Sequence, residues 1–324
     1  MTRIGILPGG SLLGREVAGR IAQTFPDADV QLLTRDPDQV GTLVDAGVAA
    51  ALLEGVDDES LRRLDVLVSA DTTDEELESL LAVLEARATL VLINASLPLR
   101  QPAPLVAGVN DSQAAGTRVV HSPHAVTIAV VLVLKPLLDL EPRFVSVTAI
   151  EPVSEHDRAG IDELAEQTRA LLTFQPHVPQ ERLGAQLAFN LVPRTDAHAV
   201  AVSSQLRAVL GRSLPVEVTL LRAGVFHGLA MTVTCFFERP VSPTTVRDRL
   251  ETAPHLEVAA AGAPAPGSRD AAIHEEVLVV MLDPAGETDT MHFFVTVDHL
   301  VRGGAANAVD LLATVLAEPA GPTH

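Results

Sequence analysis

The stretch Val119-Val120-His121-Ser122-Pro123-His124-Ala125-Val126-Thr127-Ile128 decides the fold. It predicts a β-strand that ends near Val120, a tight polar turn, and a long apolar helix. A strand, turn and helix in this order are a common way to present a nucleophile at the edge of an α/β sheet. Here the helix begins at Ala125, whose methyl group cannot act as a nucleophile.

Towards the N-terminus, short apolar runs alternate with amphipathic stretches. The runs are typical of buried strands, and the stretches are typical of helices. Their alternation predicts a parallel sheet covered by helices on both faces, as in a Rossmann-type nucleotide-binding domain. The strand-like runs are Ile4–Leu7, Val30–Leu33, Asp65–Val68 and Leu90–Ile93, and the helix-like stretches are Gly14–Ile21 and Asp74–Leu84.

Towards the C-terminus, the pattern becomes that of an α+β domain. The stretch Ala125–Leu138 is apolar on nearly every side, which predicts a helix buried between layers. The strand patterns that follow favour an antiparallel or mixed sheet, and they are Val216–Leu220, Val233–Phe237, Val277–Leu282 and His292–Val297. We divide the chain into a nucleotide-binding domain (1–123), an α+β domain (124–302) and a last helix (303–324) that returns to the first domain.

Charge and hydropathy exclude several classes of partner. The formal net charge is −19 and Lys135 is the only lysine, so electrostatics disfavours nucleic acid or an anionic membrane as a partner. The longest apolar run, Ala125–Leu134, is too short to cross a bilayer. The start of the chain reads as a strand and not as a secretion signal. We therefore expect a cytoplasmic protein with a solvated acidic surface.

The lone cysteine, Cys235, lies inside the strand pattern Met231–Phe237. This sequence context predicts that Cys235 is a small buried hydrophobic residue and not a thiolate nucleophile. A single cysteine also excludes a disulfide or a multi-thiolate metal site within one chain.

Four segments carry a resemblance to a known family. They are Ala159–Leu164 with Glu166–Leu172, Gln186–Pro193, Val301–Val309, and the pair Thr127-Ile128 and Leu134–Leu137. Together they resemble the aspartate-semialdehyde dehydrogenase family, especially its Usg-type branch. The likeness extends from Ile4 to Leu316, so it implies the two-domain fold of the family and a homodimer formed through the second domain.

The resemblance implies a reaction for which this chain lacks the main residues. Family enzymes interconvert an acyl phosphate and an aldehyde with NADPH or NADP, through a thioester on a cysteine two residues before the Thr-Ile pair. That position is Ala125. The family base is a histidine seven residues beyond a carboxylate-binding arginine; Arg222 matches the arginine, and Leu229 stands in place of the base. Glu151 replaces the glutamine that orients the cysteine, and we expect no catalysis by this route.

His227, two positions before Leu229, is an alternative base. On a strand it would keep the same face, displaced by about 7 Å. The other interpretation is a packed or surface histidine. The resemblance also aligns His198 and Ala201 with a glutamate and a lysine of the family, so a further phosphate contact is absent.

Two arginines match anion-binding positions of the family. Arg100, after Asn94–Leu99, corresponds to the phosphate-binding arginine, and Arg222 corresponds to the carboxylate-binding one. Two convergent guanidinium groups would bind a small anion through bidentate hydrogen bonds. Structural salt bridges are the alternative interpretation.

The cofactor turn of the family is altered. The stretch Pro8–Gly14 has Pro8 and Ser11 where glycines are usual, and its possible cofactor contacts are Gly9, Gly10, Ser11, Leu12, Leu13 and Gly14. Pro8 has no amide proton to offer a pyrophosphate, whereas Gly14 still allows close packing of the helix. Asp71 in a second turn would repel phosphates. Arg35 could contact a 2′-phosphate, with an ordinary surface arginine as the favoured interpretation, and Asn307 could also contact the cofactor. We therefore expect NADP binding to be weakened and not excluded.

Three functional hypotheses follow. The first is a noncatalytic homologue that binds a small anionic ligand or a protein partner. The second is an NADP-dependent oxidoreductase of the semialdehyde dehydrogenase type with displaced chemistry on His121, His124, His227 or Glu151. The third is a metal site on His121 and His124; because no further ligands are evident near them, we expect no metal.

Overall fold

The computed structural model describes residues 1–47, 50–94, 102–195, 197–211, 213–282 and 286–317. They form two compact units. One unit comprises Met1–His124 and a C-terminal segment that begins at Gly303, and the other comprises Ala125–Arg302. The predicted fold class, a nucleotide-binding type of domain joined to an α+β domain, is confirmed.

The first unit is built from a sheet and helices. Its strands are β1 (Arg3–Leu7), β2 (Asp29–Thr34), β3 (Leu43–Asp45), β4 (Ala50–Gly55), β5 (Val66–Ala70), β6 (Thr89–Ile93) and β7 (Val119–Ser122). Its helices are α1 (Leu12–Thr24), α2 (Asp58–Arg62), α3 (Asp74–Val83) and the C-terminal α8 (Asn307–Leu316).

The sheet of this unit has the order β3-β4-β2-β1-β5-β6-β7, and only the pair of β3 and β4 is antiparallel. Without the short edge strand β3, the order counted along the chain is 3-2-1-4-5-6, which is the Rossmann order. In such sheets a ligand lies at the carboxyl ends of the strands, where the order reverses beside β1. The turn after β1 is the Pro8–Gly14 segment.

Helices cover both faces of this sheet, as predicted. On one face, Ile4 and Ile6 of β1 pack in a core that includes residues of α1 and α8. On the other face, Leu7 packs in a core that includes Leu80 of α3. The alternation of side chains along each strand separates the two cores, and the predicted return of the last helix to the first unit is confirmed.

The second unit surrounds a mixed sheet. Its helices are α4 (Ala125–Leu134), α5 (Asp157–Leu172), α6 (Ala197–Leu210) and α7 (Pro243–Glu251). Its strands are β8 (Pro142–Glu151), β9 (Leu191–Pro193), β10 (Val216–Ala223), β11 (Leu229–Val241), β12 (Leu256–Val258), β13 (Val277–Met281) and β14 (Thr288–Val297). The sheet order is β12-β13-β14-β11-β8-β10-β9, and β8 with β10 and β12 with β13 are its parallel pairs.

Helix α4 is buried along its whole length. The prediction of a buried helix is therefore confirmed, but its predicted end at Leu138 is wrong. The α-helix ends at Leu134, and Lys135–Leu140 continues as a tighter 3₁₀ helix. The reason is Pro136, which has no amide proton and whose ring clashes with the carbonyl one turn earlier in an α-helix.

Candidate functional site

Ala125 is the first residue of α4, and its side chain is almost fully buried. The methyl group has neither a lone pair nor an acidic proton. The same helix holds Thr127, whose hydroxyl donates to Oε1 of Gln205 in α6 over 2.9 Å. The start of α4 is thus fixed by packing and by one polar contact, and the Ala125 side chain itself has no nucleophilic atom.

Three other predicted positions lie side by side at one end of the second sheet. Arg222 of β10 is the direct neighbour of Glu151, the last residue of β8. On the other side of β8, Ala230 pairs with Ile150, so the antiparallel register places Leu229 beside Glu151. The structure therefore places Glu151, Arg222 and Leu229 side by side on three adjacent strands.

Glu151 forms an ion pair that the sequence did not predict. Its Oε2 lies 2.8 Å from Nη1 of Arg194, and the two side chains are 1% and 11% exposed. Arg194 follows directly after β9, and its amide donates to the carbonyl of Leu220 over 2.8 Å. A buried carboxylate requires such a partner, because desolvation of a lone charge is costly. Glu151, which the resemblance aligns with a glutamine of the family, is therefore paired with the guanidinium group of Arg194.

Arg222 is anchored from one side. Its Nη1 donates to the carbonyl of Leu183 over 2.9 Å. Its Nε is buried and has no hydrogen-bond acceptor among the residues that the structure describes. A buried donor without an acceptor is unfavourable by about 1–3 kcal/mol. An anion beside Arg222 would remove this cost.

Two buried polar residues of α5 support the loop that anchors Arg222. Glu163 accepts from the amides of Arg182 and Leu183 over 2.8 and 2.9 Å. Oε1 of Gln167 accepts from two amides of the same loop, and its Nε2 donates to two carbonyls. These contacts give a physical role to two residues of the motif Ala159–Leu172.

The structure corrects the expected location of His227. Strand β11 begins only at Leu229, so His227 lies in the preceding turn and not on the strand face assumed for a displaced base. Its Nδ1 lies 3.1 Å from Oγ of Ser154, and its Nε2 lies 3.0 Å from Oδ2 of Asp298. The ring of His299 is adjacent, with 4.9 Å between the ring centroids.

Burial controls the charges around His227. It lowers the pKa of His299 to about 4, with a further lowering from the charge of His227, so His299 is neutral near pH 7. Burial by itself raises the pKa of Asp298, but the hydrogen bond and charge of His227, together with the amide of Ile273 and the charge of His299, hold this pKa below its usual value. Asp298 therefore remains ionised, with a negative charge.

The turn after β1 is tightly packed. A Cβ on Gly14 would lie 2.2 Å from the carbonyl oxygen of Pro8, and one on Gly9 would lie 2.7 Å from Cα of Leu32. Ser11 caps α1: its Oγ accepts from the amide of Gly14 and donates to the carbonyl of Pro8, both over 2.9 Å. One amide at the helix start is thus satisfied by the protein itself. Gly10 belongs to the turn, whereas Leu12 and Leu13 are the first two residues of α1.

The remaining predicted cofactor residues have protein partners. Arg35 pairs with Glu76 over 2.9 Å, and both side chains are exposed. Asn94 donates to the carboxylate of Asp71 over 2.7 Å. Asn307 is buried, accepts from the amide of Ala107, and donates to the carbonyl of Leu105 and the hydroxyl of Ser122. The contacts of Asn307 are therefore internal to the first unit.

Other predicted residues occupy different surroundings. Arg100 lies outside the described residues, and so does the side chain of His198. Ala201 is part of α6.

His121 and His124 are both buried. Within the described part of the chain, neither belongs to a group of three potential metal ligands. Burial raises the pKa of Cys235 to about 12, in line with a packed thiol.

The sequence analysis missed Ser154, Arg194, Asp298 and His299. Their contacts with Glu151, His227 and one another join residues between 43 and 145 positions apart along the chain. The one local signal is that Arg194 directly follows one family-like segment and Asp298 lies three positions before another. In the described ranges, no helix is both long and apolar enough to span a bilayer.

The chain is similar in sequence to proteins of one known family. Residues 134–302 match the family described as semialdehyde dehydrogenase, dimerisation domain. A USG-1 protein homolog of Azotobacter vinelandii is 32% identical over 68% of this chain and 70% of its own length. An aspartate-semialdehyde dehydrogenase of Rickettsia bellii is 23% identical over 95% and 96% of the two chains.

The solved structures show the same fold. A probable aspartate-semialdehyde dehydrogenase from Pseudomonas aeruginosa superposes with a TM-score of 0.86 at 23% identity, covering 98% of this chain and 99% of that one. From the matched family and the USG-1 relative, the chain belongs to the aspartate-semialdehyde dehydrogenase family, in its Usg-type branch.

Proposed function

We propose that this chain is a noncatalytic member of its family that binds a small carboxylate or phosphate through Arg222, as a homodimer. The observation that carries the proposal is the row of Glu151, Arg222 and Leu229 on adjacent strands. The anion-binding arginine is kept, whereas the position of the base holds an aliphatic side chain. Ala125 at the start of α4 removes the nucleophile as well. Loss of one member of such a unit removes most of its rate enhancement.

The absence of catalysis is tested by an activity assay. The purified chain is mixed with NADP, phosphate and aspartate semialdehyde, and the absorbance of NADPH is followed. We expect no rate above that of a blank without protein, because neither thioester formation nor general base catalysis has a residue to perform it. A rate within about a hundredfold of an active family enzyme would overturn the proposal.

Anion binding is tested by calorimetry with aspartate and with inorganic phosphate. Loss of the guanidinium group in Arg222→Gln should weaken binding at least tenfold, because it removes the charge and the bidentate donors. Arg158→Gln is the matched control, since Arg158 is an exposed arginine paired with Asp162 in the next turn of α5. If the wild-type chain binds neither compound, or if both variants bind equally well, Arg222 is a structural residue only.

The homodimer is supported by the match of residues 134–302 to a dimerisation domain. Light scattering coupled to size exclusion should give about twice the mass of one chain. A mass of a single chain at micromolar concentration would contradict this part of the proposal.

A second candidate is an NADP-dependent oxidoreductase with displaced residues. The close packing of Gly9 and Gly14 supports it, because the turn keeps the compactness that a pyrophosphate site requires. Titration with NADPH followed by its fluorescence decides between the two. Saturable binding in the micromolar range would favour this candidate, and no binding at millimolar NADPH would remove it.

A further inference from the structure

Two imidazoles and one carboxylate converge in the second unit, beyond the row of Glu151, Arg222 and Leu229. They belong to His227, Asp298 and His299, and one potential ligand atom of each lies within 4.8 Å of the others. His227 comes from the turn before β11, and the other two follow β14 directly. This donor set, two nitrogens and one oxygen, is the one that zinc and related divalent metals prefer.

The carboxylate of Asp298 is rigidly held. Its Oδ1 accepts from the amides of Leu300 and Val301 over 2.9 and 3.3 Å. Its Oδ2 accepts from the amide of Ile273 over 2.8 Å and faces Nε2 of His227 at 3.0 Å. Two ligands of a tetrahedral metal ion with bonds near 2.05 Å are separated by about 3.3 Å. The observed separation requires only a small outward movement of either group.

His299 supplies an unused nitrogen. The residue is 5% exposed. Its Nε2 lies 3.3 Å from Oγ of Ser154. Its Nδ1 is buried and has no hydrogen-bond partner among the residues described by the structure. An imidazole nitrogen buried without a partner is costly in an ordinary core, and a metal ion would satisfy it.

Ser154 can set the tautomer that metal binding needs. Its hydroxyl contacts Nδ1 of His227 at 3.1 Å. With the proton on Nδ1, His227 donates to Ser154 and directs the lone pair of Nε2 towards Asp298. A second hydrogen bond of this kind is typical of histidines that bind metals. The side chain of His227 is 28% exposed, so an ion can reach the group from solvent.

We propose that His227, Asp298 and His299 form a binding site for one divalent transition metal ion of the zinc class, with Ser154 orienting His227. A proton released from Nε2 moves to Nδ1 or to solvent, and the ion replaces the hydrogen bond between His227 and Asp298. The site does not depend on the proposed anion binding at Arg222.

The metal-stripped full chain is titrated with Co²⁺ alone, and the visible absorption of the bound ion is followed; Zn²⁺ is then added to displace it. We expect one Co²⁺ per chain with the strong bands of a four-coordinate site. His227→Asn and His299→Asn should each weaken Co²⁺ binding at least tenfold, because each removes one of three protein ligands.

The matched control is His274→Asn. His274 lies between Glu257 and Glu276 in an exposed group of three potential ligands, and this variant should bind Co²⁺ like the wild type. If His299→Asn fails to fold, as judged by circular dichroism, the partly exposed His227→Asn decides the question. The proposal is overturned if the wild-type chain binds no Co²⁺ at millimolar concentration. It is equally overturned if a folded His227→Asn chain binds Co²⁺ as tightly as the wild type.

Discussion

Glu151 and Arg194 form a buried ion pair of 2.8 Å at the end of β8, beside Arg222. This pair explains how a carboxylate is tolerated at a buried position. It also predicts that the two residues are coupled, since each removes the desolvation cost of the other.

Arg194→Met should destabilise the protein by about 3–5 kcal/mol, because it leaves the carboxylate of Glu151 buried without its ion-pair partner. The double variant Glu151→Gln with Arg194→Met should recover a large part of this loss, since both charges of the pair are then removed together. Urea unfolding of the four chains gives the coupling energy directly. Additive losses in the double variant would show that the pair contributes little.

Gln167→Leu should destabilise the protein by about 2–5 kcal/mol, because the glutamine makes four hydrogen bonds to the backbone of one loop. The same variant should weaken anion binding by Arg222, since that loop carries the carbonyl of Leu183. Gln23→Leu is the control, because Gln23 is an exposed glutamine of α1. Equal unfolding midpoints in urea for the two variants would contradict the assigned role.

His299 should make the protein sensitive to acid. Burial and the charge of His227 lower its pKa from 6.5 to about 4. As the pH falls, His299 is therefore protonated in the unfolded chain before it is protonated in the folded chain. The contribution of neutral His299 to stability is complete above about pH 6.5 and decreases towards pH 4. The loss is on the order of 1.4 kcal/mol for each unit of pKa difference.

The measurement is urea unfolding of metal-free protein at several pH values between about 7.5 and 4. His299→Asn should lose less stability over this range than the wild type, because asparagine does not titrate. His274→Asn, at an exposed position, should follow the wild-type curve. A His299→Asn curve parallel to that of the wild type would refute the assignment.

Cys235 should be unreactive in the folded protein. Burial raises its pKa to about 12, so the thiolate is scarce at pH 8 and also shielded from reagents. Iodoacetamide should modify the chain only after unfolding in urea, as followed by mass spectrometry. Rapid modification of the folded protein would show that the strand interior around Cys235 opens.

Patterns of hydropathy were sufficient for most of the fold. The alternating runs around Ile4–Leu7 and Leu90–Ile93 predicted the parallel sheet, and the uniformly apolar Ala125–Leu134 predicted a buried helix. Strands β3 and β4 were missed because Val44 and Leu53 are their only buried residues. A strand with one buried side chain leaves no periodic signal.

The buried face of α5 shows a different limit of what hydropathy patterns can predict. Helical spacing alone places Ala165 and Leu172 on one apolar stripe with Leu164, yet both are exposed in the structure. The buried face instead includes Glu163 and Gln167. Polar side chains can occupy a core when their hydrogen bonds are satisfied. The amides that satisfy Glu163 and Gln167 come from the loop that follows α5, 19 to 21 positions along the chain.

The amino-acid sequence by itself determined the fold class and the family, because these depend on residue identity and local periodicity. Only the tertiary structure decided which partners the polar side chains have. Arg194 meets Glu151, and His227 meets Asp298 and Ser154, across strands and turns far apart in the chain. Hydrogen bonds and ion pairs act over about 3 Å. The number of residues between two positions in the sequence does not indicate whether their side chains lie within this distance in the folded chain.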